Sequence, residues 1–346
     1  MNLRLPLPSI FILLAAMLSL PTTQAASAEQ STSPGETRIA HWKDDRTAAF
    51  LLMFDDSWPS HWMIAVPELV KRDMVATFYI NPGKGEYKVY AKRWADIGVQ
   101  TKMVFGDHTM THNGVKNLEN ARWEIGECAN IIRTLQPGKA NRLVSFAQPG
   151  VDPKNWAITN AERDSILKEN NLIDRPPFQN HGAVYHKKTL DEMVELADKG
   201  IASKGMEYLI LHGVERITPD WGYQDFWPLK QAIFLPLLDA LKERSDKGDL
   251  WVTDHISQHQ YAMERDQGSV SIVAVDSKQI RVRLMSKADP ELYDYPLTLI
   301  TRVPTGWIQV EVIQGDQKTV TTALNGVVRY DAKPNAAEII IRLINR

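Results

Sequence analysis

Between residues 47 and 266, short apolar runs alternate with helical stretches, and this alternation constrains the fold more than any other feature of the chain. The runs are Ala48–Phe54, Ala76–Ile80, Val99–Phe105, Leu143–Phe146, Glu207–Leu211 and Leu250–Thr253. Between them, Ile64–Arg72, Val89–Ile97, Leu118–Leu135, Asn155–Asn170, Leu190–Ala197 and Leu229–Arg244 carry the amphipathic pattern of helices. Strand and helix in turn predict parallel strands joined by crossover helices, an α/β layered or barrel fold.

From about residue 269 the helical period disappears. Ser269–Val275, Gln279–Met285, Leu297–Val303, Trp307–Ile313, Val320–Leu324 and Ala337–Leu343 are rich in β-branched residues and mostly alternate. Asp276-Ser277, Pro304-Thr305-Gly306, Gln314-Gly315-Asp316 and Asn325-Gly326 supply turns between them. This segment predicts a separate all-β module of sandwich type.

The first residues read differently again. Ile10–Leu20 is an apolar run too short to cross a bilayer, and Ala26-Ser27-Ala28 follows it as a small-residue cleavage site. The expected layout is a signal peptide over 1–28, a flexible leader over 29–40, an α/β domain over 41–267 and the β module over 268–346. An exported protein is implied, periplasmic or secreted, with no stable membrane insertion. The formal net charge is −2 without a basic run, which argues against nucleic acid as a partner. The single cysteine, Cys128, excludes an internal disulfide and reads as a buried structural thiol.

Three features carry chemistry. Asp55 and Asp56 end the first run, and adjacent carboxylates at a strand's C-terminal lip raise each other's pKa unless a cation relieves them. His108 and His112 follow the third run, at a spacing that puts two imidazoles on one face of a helical turn. His212 ends the apolar run Leu209-Ile210-Leu211, where an imidazole can act as an acid near neutral pH. A second pair, His255 and His259, has only Asp254 nearby and reads as the polar solvent face of a helix. In a closed parallel barrel the first three features share one face.

In this order these residues resemble the polysaccharide deacetylase family, also called the NodB-homology or carbohydrate esterase family 4 domain. Met53-Phe54-Asp55-Asp56-Ser57 is similar to its T-F-D-D-G motif, and His108-Thr109-Met110-Thr111-His112 matches H-[ST]-x-x-H in full. Ala76-Thr77-Phe78-Tyr79-Ile80 is similar to its second strand, and Leu209-Ile210-Leu211-His212 to L-x-L-H. The resemblance covers residues 47–266. It implies a distorted (β/α) barrel and a hydrolase that removes N- or O-acetyl groups from an acetylated glycan. It further implies one divalent metal ion, zinc or similar, on Asp56, His108 and His112, polarising the acetyl carbonyl and acidifying a water. Asp55 would be the general base and His212 the general acid. Substrate contacts would come from Trp58 and Trp221, and from the third motif at Pro149 and Gly150.

Two motifs depart from the family. The third reads Phe146-Ala147-Gln148-Pro149-Gly150, so the arginine that orients the base is missing. The fourth, which orients the catalytic histidine, has Asp174-Arg175 as its candidate. The altered third motif motivates a second reading, a glycan-binding protein on a retired deacetylase scaffold. A metal-dependent amidase acting on non-sugar C–N bonds is a third.

Overall fold

The structure is a computed structural model that describes residues 33–217 and 224–344. The signal-peptide segment lies outside them. In chain order the strands are β1 (Thr37–Ile39), β2 (Ala48–Phe54), β3 (Thr77–Ile80), β4 (Val104–Asp107), β5 (Val144–Phe146), β6 (Leu172–Asp174), β7 (Met206–Leu211) and β8 (Leu250–Thr253). The helices are α1 (Val66–Lys71), α2 (Gly85–Val89), α3 (Ala91–Gln100), α4 (Leu118–Leu135), α5 (Asn160–Glu169), α6 (Leu190–Ser203), α7 (Gln231–Asp246) and α8 (His255–Asp266).

Strands β2 to β8 are parallel, in the order β6-β5-β4-β3-β2-β7 with β8 also on β2. β2 is the centre. Its first half pairs with β8 and its last two residues with β3, while β7 runs along the other side. The chain after β6 then leans on β7. Ala183 N donates to Ile210 O at 2.8 Å, and Ile210 N donates to His181 O at 2.8 Å. The sheet therefore curls towards closure, the distorted (β/α) barrel that the sequence implies.

Strand periodicity sorts side chains between two layers. Phe50, Leu52 and Phe54 of β2, Leu209 and Leu211 of β7, and Phe78 and Ile80 of β3 pack outwards with helix residues such as Leu69, Trp94, Ile125 and Phe234. Leu51, Met53, Tyr79, Tyr208 and Ile210 point into the barrel. The interior is tight, since a Cβ on Gly106 of β4 would lie 2.4 Å from the Tyr79 ring.

After α8 come β9 (Gly268–Val275), β10 (Gln279–Ser286), β11 (Leu297–Arg302), β12 (Gln309–Gln314), β13 (Gln317–Thr322), β14 (Val327–Ala332) and β15 (Ile339–Leu343). They form a five-stranded antiparallel sheet, β13-β12-β15-β10-β9, and a three-stranded one, β1-β11-β14. The all-β module is thus present, with two departures from the sequence reading. β14 was missed because Arg329 and Asp331 interrupt its apolar run. Thr37–Ile39, expected within the flexible leader, is a strand paired antiparallel with Leu299–Thr301. The barrel and the module share one apolar core, in which Trp42, Trp251 and Tyr261 pack with Ile280, Leu299 and Tyr330. A third departure is that Val99 and Gln100, expected to open a strand, finish α3.

Candidate active site

The outward–inward alternation delivers the site. Leu51 and Met53 point inwards, so Asp55 is the next inward position of β2; Tyr208 and Ile210 place His212 in the same way on β7. Gly106 does so for His108 beyond β4. Beyond β6, whose Leu172 packs in the outer layer, the inward position is Arg175. Four chemistry-bearing side chains thus reach one barrel mouth because each sits an even number of residues from an inward-facing one.

Asp56 departs from the strand with φ of 81°, followed by Ser57 at 58°. The left-handed region disfavours side chains, at a cost of about 1 kcal/mol or more, and explains the glycine of the related motif. The Ser57 hydroxyl compensates by accepting a hydrogen bond from Asn81 N at 2.8 Å. His108 and His112 do not lie on a helical turn. Thr109 and His112 have φ of 63° and 61°, and the four-residue spacing closes an irregular loop. Asn81 Nδ2 donates to the carbonyls of His108 and Thr109, holding that loop in place.

Asp56, His108 and His112 present ligand atoms that all lie within 4.8 Å of one another. His108 Nε2 is 3.5 Å and His112 Nε2 3.1 Å from Asp56 Oδ1. The His108 Nδ1–H donates to Ala147 O at 2.7 Å, so in the neutral ring Nε2 carries a lone pair. That lone pair faces a buried carboxylate oxygen without a hydrogen-bond partner among the described residues. Two acceptors turned on each other fit a cation between them. Burial alone would raise the Asp56 carboxyl, but His108 and His112, with the charge of Lys84, hold it well below the usual range.

Asp55 is 2% exposed and is gripped by Arg175, whose two terminal nitrogens donate to its two oxygens at 2.5 and 2.9 Å. The guanidinium lies 4.7 Å from the centre of the Tyr79 ring. Burial raises the Asp55 carboxyl, but the Arg175 charge, helped by His108 and His212, prevails and keeps it below its ordinary value. Asp174-Arg175 was the candidate for orienting His212, and the structure divides the pair. Arg175 pairs with Asp55. Asp174 is exposed, 3.4 Å from the Arg163 side chain.

His212 places Nε2 3.9 Å from Asp56 Oδ2. Its backbone is pinned on both sides: Asp55 N donates to Leu211 O at 2.9 Å, His61 Nε2 to His212 O at 2.6 Å, and Val214 N to Ser60 Oγ at 2.8 Å. Its buried Nδ1 has no hydrogen-bond partner among the described residues. Burial lowers its pKa despite Asp55 and Asp56, which puts its proton-carrying form on the acid side of the usual imidazole range.

These groups line a cavity of about 390 Å³ with Gln148, Gly150, Phe178, Tyr185, Phe226 and Trp227. Of the expected substrate contacts, Gly150 lines the cavity and Trp58 lies beside it, its indole donating to Asp56 Oδ2 at 3.2 Å. Pro149 is buried and does not line the cavity, and Trp221 lies outside the described residues. On the aromatic side Tyr185 and Phe226 were missed; both stack on Trp227, with centroids 4.6 and 4.4 Å away. None of them belongs to a spaced motif, so only the fold brings them together.

One other group read from sequence behaves differently. His255 and His259 are not on a solvent face. His255 is 4% exposed, and its Nδ1 is 2.7 Å from Ser145 Oγ, which contacts the Tyr79 hydroxyl at 2.7 Å. Burial pushes this imidazole down to about 3, so it is neutral. Asp107, beside the buried Cys128 thiol, is pushed up by burial to about 8. The folded chain holds that proton to about pH 8, whereas the unfolded chain releases it near its ordinary value of 3.8. Folding takes up a proton between these limits, so stability falls as pH rises through them. Asp107→Asn in metal-free protein is expected to raise Tm by roughly 5 °C at pH 8 and not at pH 4, measured by calorimetry across that range.

The chain is similar in part to known proteins. Residues 43–161 match the polysaccharide deacetylase family model. A curated relative, a gellan lyase of a Bacillus species, is 22% identical over 313 residues, which are 82% of this chain and 12% of the relative. The chain thus spans about an eighth of that relative's length. Among solved structures, a family 4 carbohydrate esterase from Streptomyces lividans in complex with acetate is 16% identical over 59% of this chain and 91% of its own, with a TM-score of 0.40. A family 4 pseudoenzyme from Bacillus anthracis is 14% identical over 61% of this chain and 64% of its own, with a TM-score of 0.42. The matched residues 43–161 include Asp55, Asp56, His108 and His112, so this part of the barrel is similar to polysaccharide deacetylases.

Proposed function

We propose that this chain is a metal-dependent hydrolase that removes N- or O-linked acetyl groups from an extracytoplasmic polysaccharide or oligosaccharide. One observation carries the reading: a ligand set that calls for a cation and a second carboxylate kept ionised by a buried arginine line the same cavity. A divalent ion, zinc or similar, held by Asp56, His108 and His112 would polarise an acyl carbonyl and acidify a water. Asp55 is the base. Arg175 occupies one side of its carboxylate, fixes its plane and leaves lone pairs for a proton. His212, at the end of the neighbouring strand β7, delivers a proton to the departing nitrogen or oxygen. Tyr185, Phe226 and Trp227 offer aromatic surface for the apolar faces of sugar rings.

The glycan-binding alternative has one observation in its favour, a His212 Nδ1 without a partner among the described residues. Acetate release from a panel of acetylated glycans, with zinc and then with a chelator, separates the two. The expected result is release that the chelator abolishes and zinc restores. Glycan binding without release under any metal would support the alternative.

A further inference from the structure

Lys84 belongs to the metal site although no motif marks it. It follows β3 on the loop 81–84, which is fastened to the histidine loop: Gly83 N donates to Met110 O at 2.7 Å, and a Cβ at Gly83 would sit 2.7 Å from that oxygen. Lys84 N closes the loop on Asn81 O at 3.0 Å. From this anchor the side chain, 19% exposed, crosses the Trp58 ring with its ammonium 4.8 Å from the ring centre. It ends 3.9 Å from Asp56 Oδ1.

The oxygen it approaches is decisive. Asp56 Oδ2 accepts the indole N–H of Trp58. Oδ1 is the oxygen that His108 and His112 face, so the carboxylate turns one oxygen to the ligand set, and Lys84 stands beside that one. Trp58 fixes the carboxylate through its N–H and the ammonium through its ring. An ion bound at Oδ1 would meet a like charge a few ångströms away in a partly buried site, where solvent screens little.

Resting on the reading of Asp56, His108 and His112 as a metal site, we infer that Lys84 limits the affinity of that site. It balances the charge of Asp56 while no ion is bound and opposes the ion that replaces it. The side chain thereby adjusts how readily the site exchanges its metal, without being a ligand.

The test is zinc affinity, by competition with a chromogenic chelator, for wild type, Lys84→Gln and Lys84→Arg. Lys84→Gln is expected to bind zinc about tenfold or more tightly than wild type, with a larger zinc-induced rise in Tm and a lower Tm without metal. Lys84→Arg keeps the charge and should match wild type within a factor of about three. Equal or weaker zinc binding by Lys84→Gln would overturn the inference while leaving the metal site standing. Absence of zinc binding by wild type would remove the metal-site reading and this inference together.

Discussion

Arg175→Met is expected to lower kcat for deacetylation by about 100- to 1,000-fold, the scale of a mispositioned general base, with zinc affinity nearly unchanged. Asp55 and Arg175 are both buried, at 3% and 8% side-chain exposure, and the fork between them is bidentate. Removing the arginine leaves a buried carboxylate without a counter-ion, which costs about 3–5 kcal/mol in comparable pairs and drives the group towards its protonated form. The sign of the pH effect follows. Arg175 holds the Asp55 pKa down, so its loss moves the acidic limb of the kcat/KM profile to higher pH. Arg175→Lys restores a charge but not the planar fork and should recover only part of kcat. A profile in Arg175→Met that falls uniformly, without this displacement, would mean that the arginine supports the fold alone.

His108→Ala is expected to weaken zinc binding by more than about 100-fold, beyond the usual loss from removing a partner that merely orients a ligand. It should also reduce acetate release to background. The argument is local: the Ala147 carbonyl takes the Nδ1 proton and commits the Nε2 lone pair to the centre. His259→Ala is the matched control. His259 belongs to the other four-residue pair, and its Nε2 lies 3.2 Å from the Tyr293 hydroxyl, so it should leave zinc affinity intact. Equilibrium dialysis with zinc on both variants decides the point.

The part of this site visible in the sequence was what short motifs encode. Asp55, Asp56, His108, His112 and His212 sit in local patterns at the ends of apolar runs, and the fold makes them neighbours. What the sequence obscured is what alternation decides over a strand too short to notice. β6 has three residues, Leu172–Asp174, and was not identified as a strand. Had it been, Leu172 would have marked the outer layer, Asp174 the same face and Arg175 the mouth. The histidine spacing shows the converse. It named the correct side chains through a helical turn that is absent, because a left-handed loop can bring two imidazoles together equally well. His255 and His259 have the same spacing on a real helix and meet Ser145 and Tyr293 instead. The aromatic side of the cavity, made by Tyr185, Phe226 and Trp227, arises from loops alone.

The pairing of β1 with β11 bears on how the chain comes into being. Thr37 and Thr301 share a hydroxyl contact of 2.8 Å across 264 positions. At ribosomal rates of about 5–20 residues per second, the first strand therefore waits on the order of tens of seconds for its partner to be made. All the strands and helices of the barrel are synthesised during that interval. The three-stranded sheet thus joins residues 37–39 to strands made after the barrel, and it is completed only once the barrel has been translated.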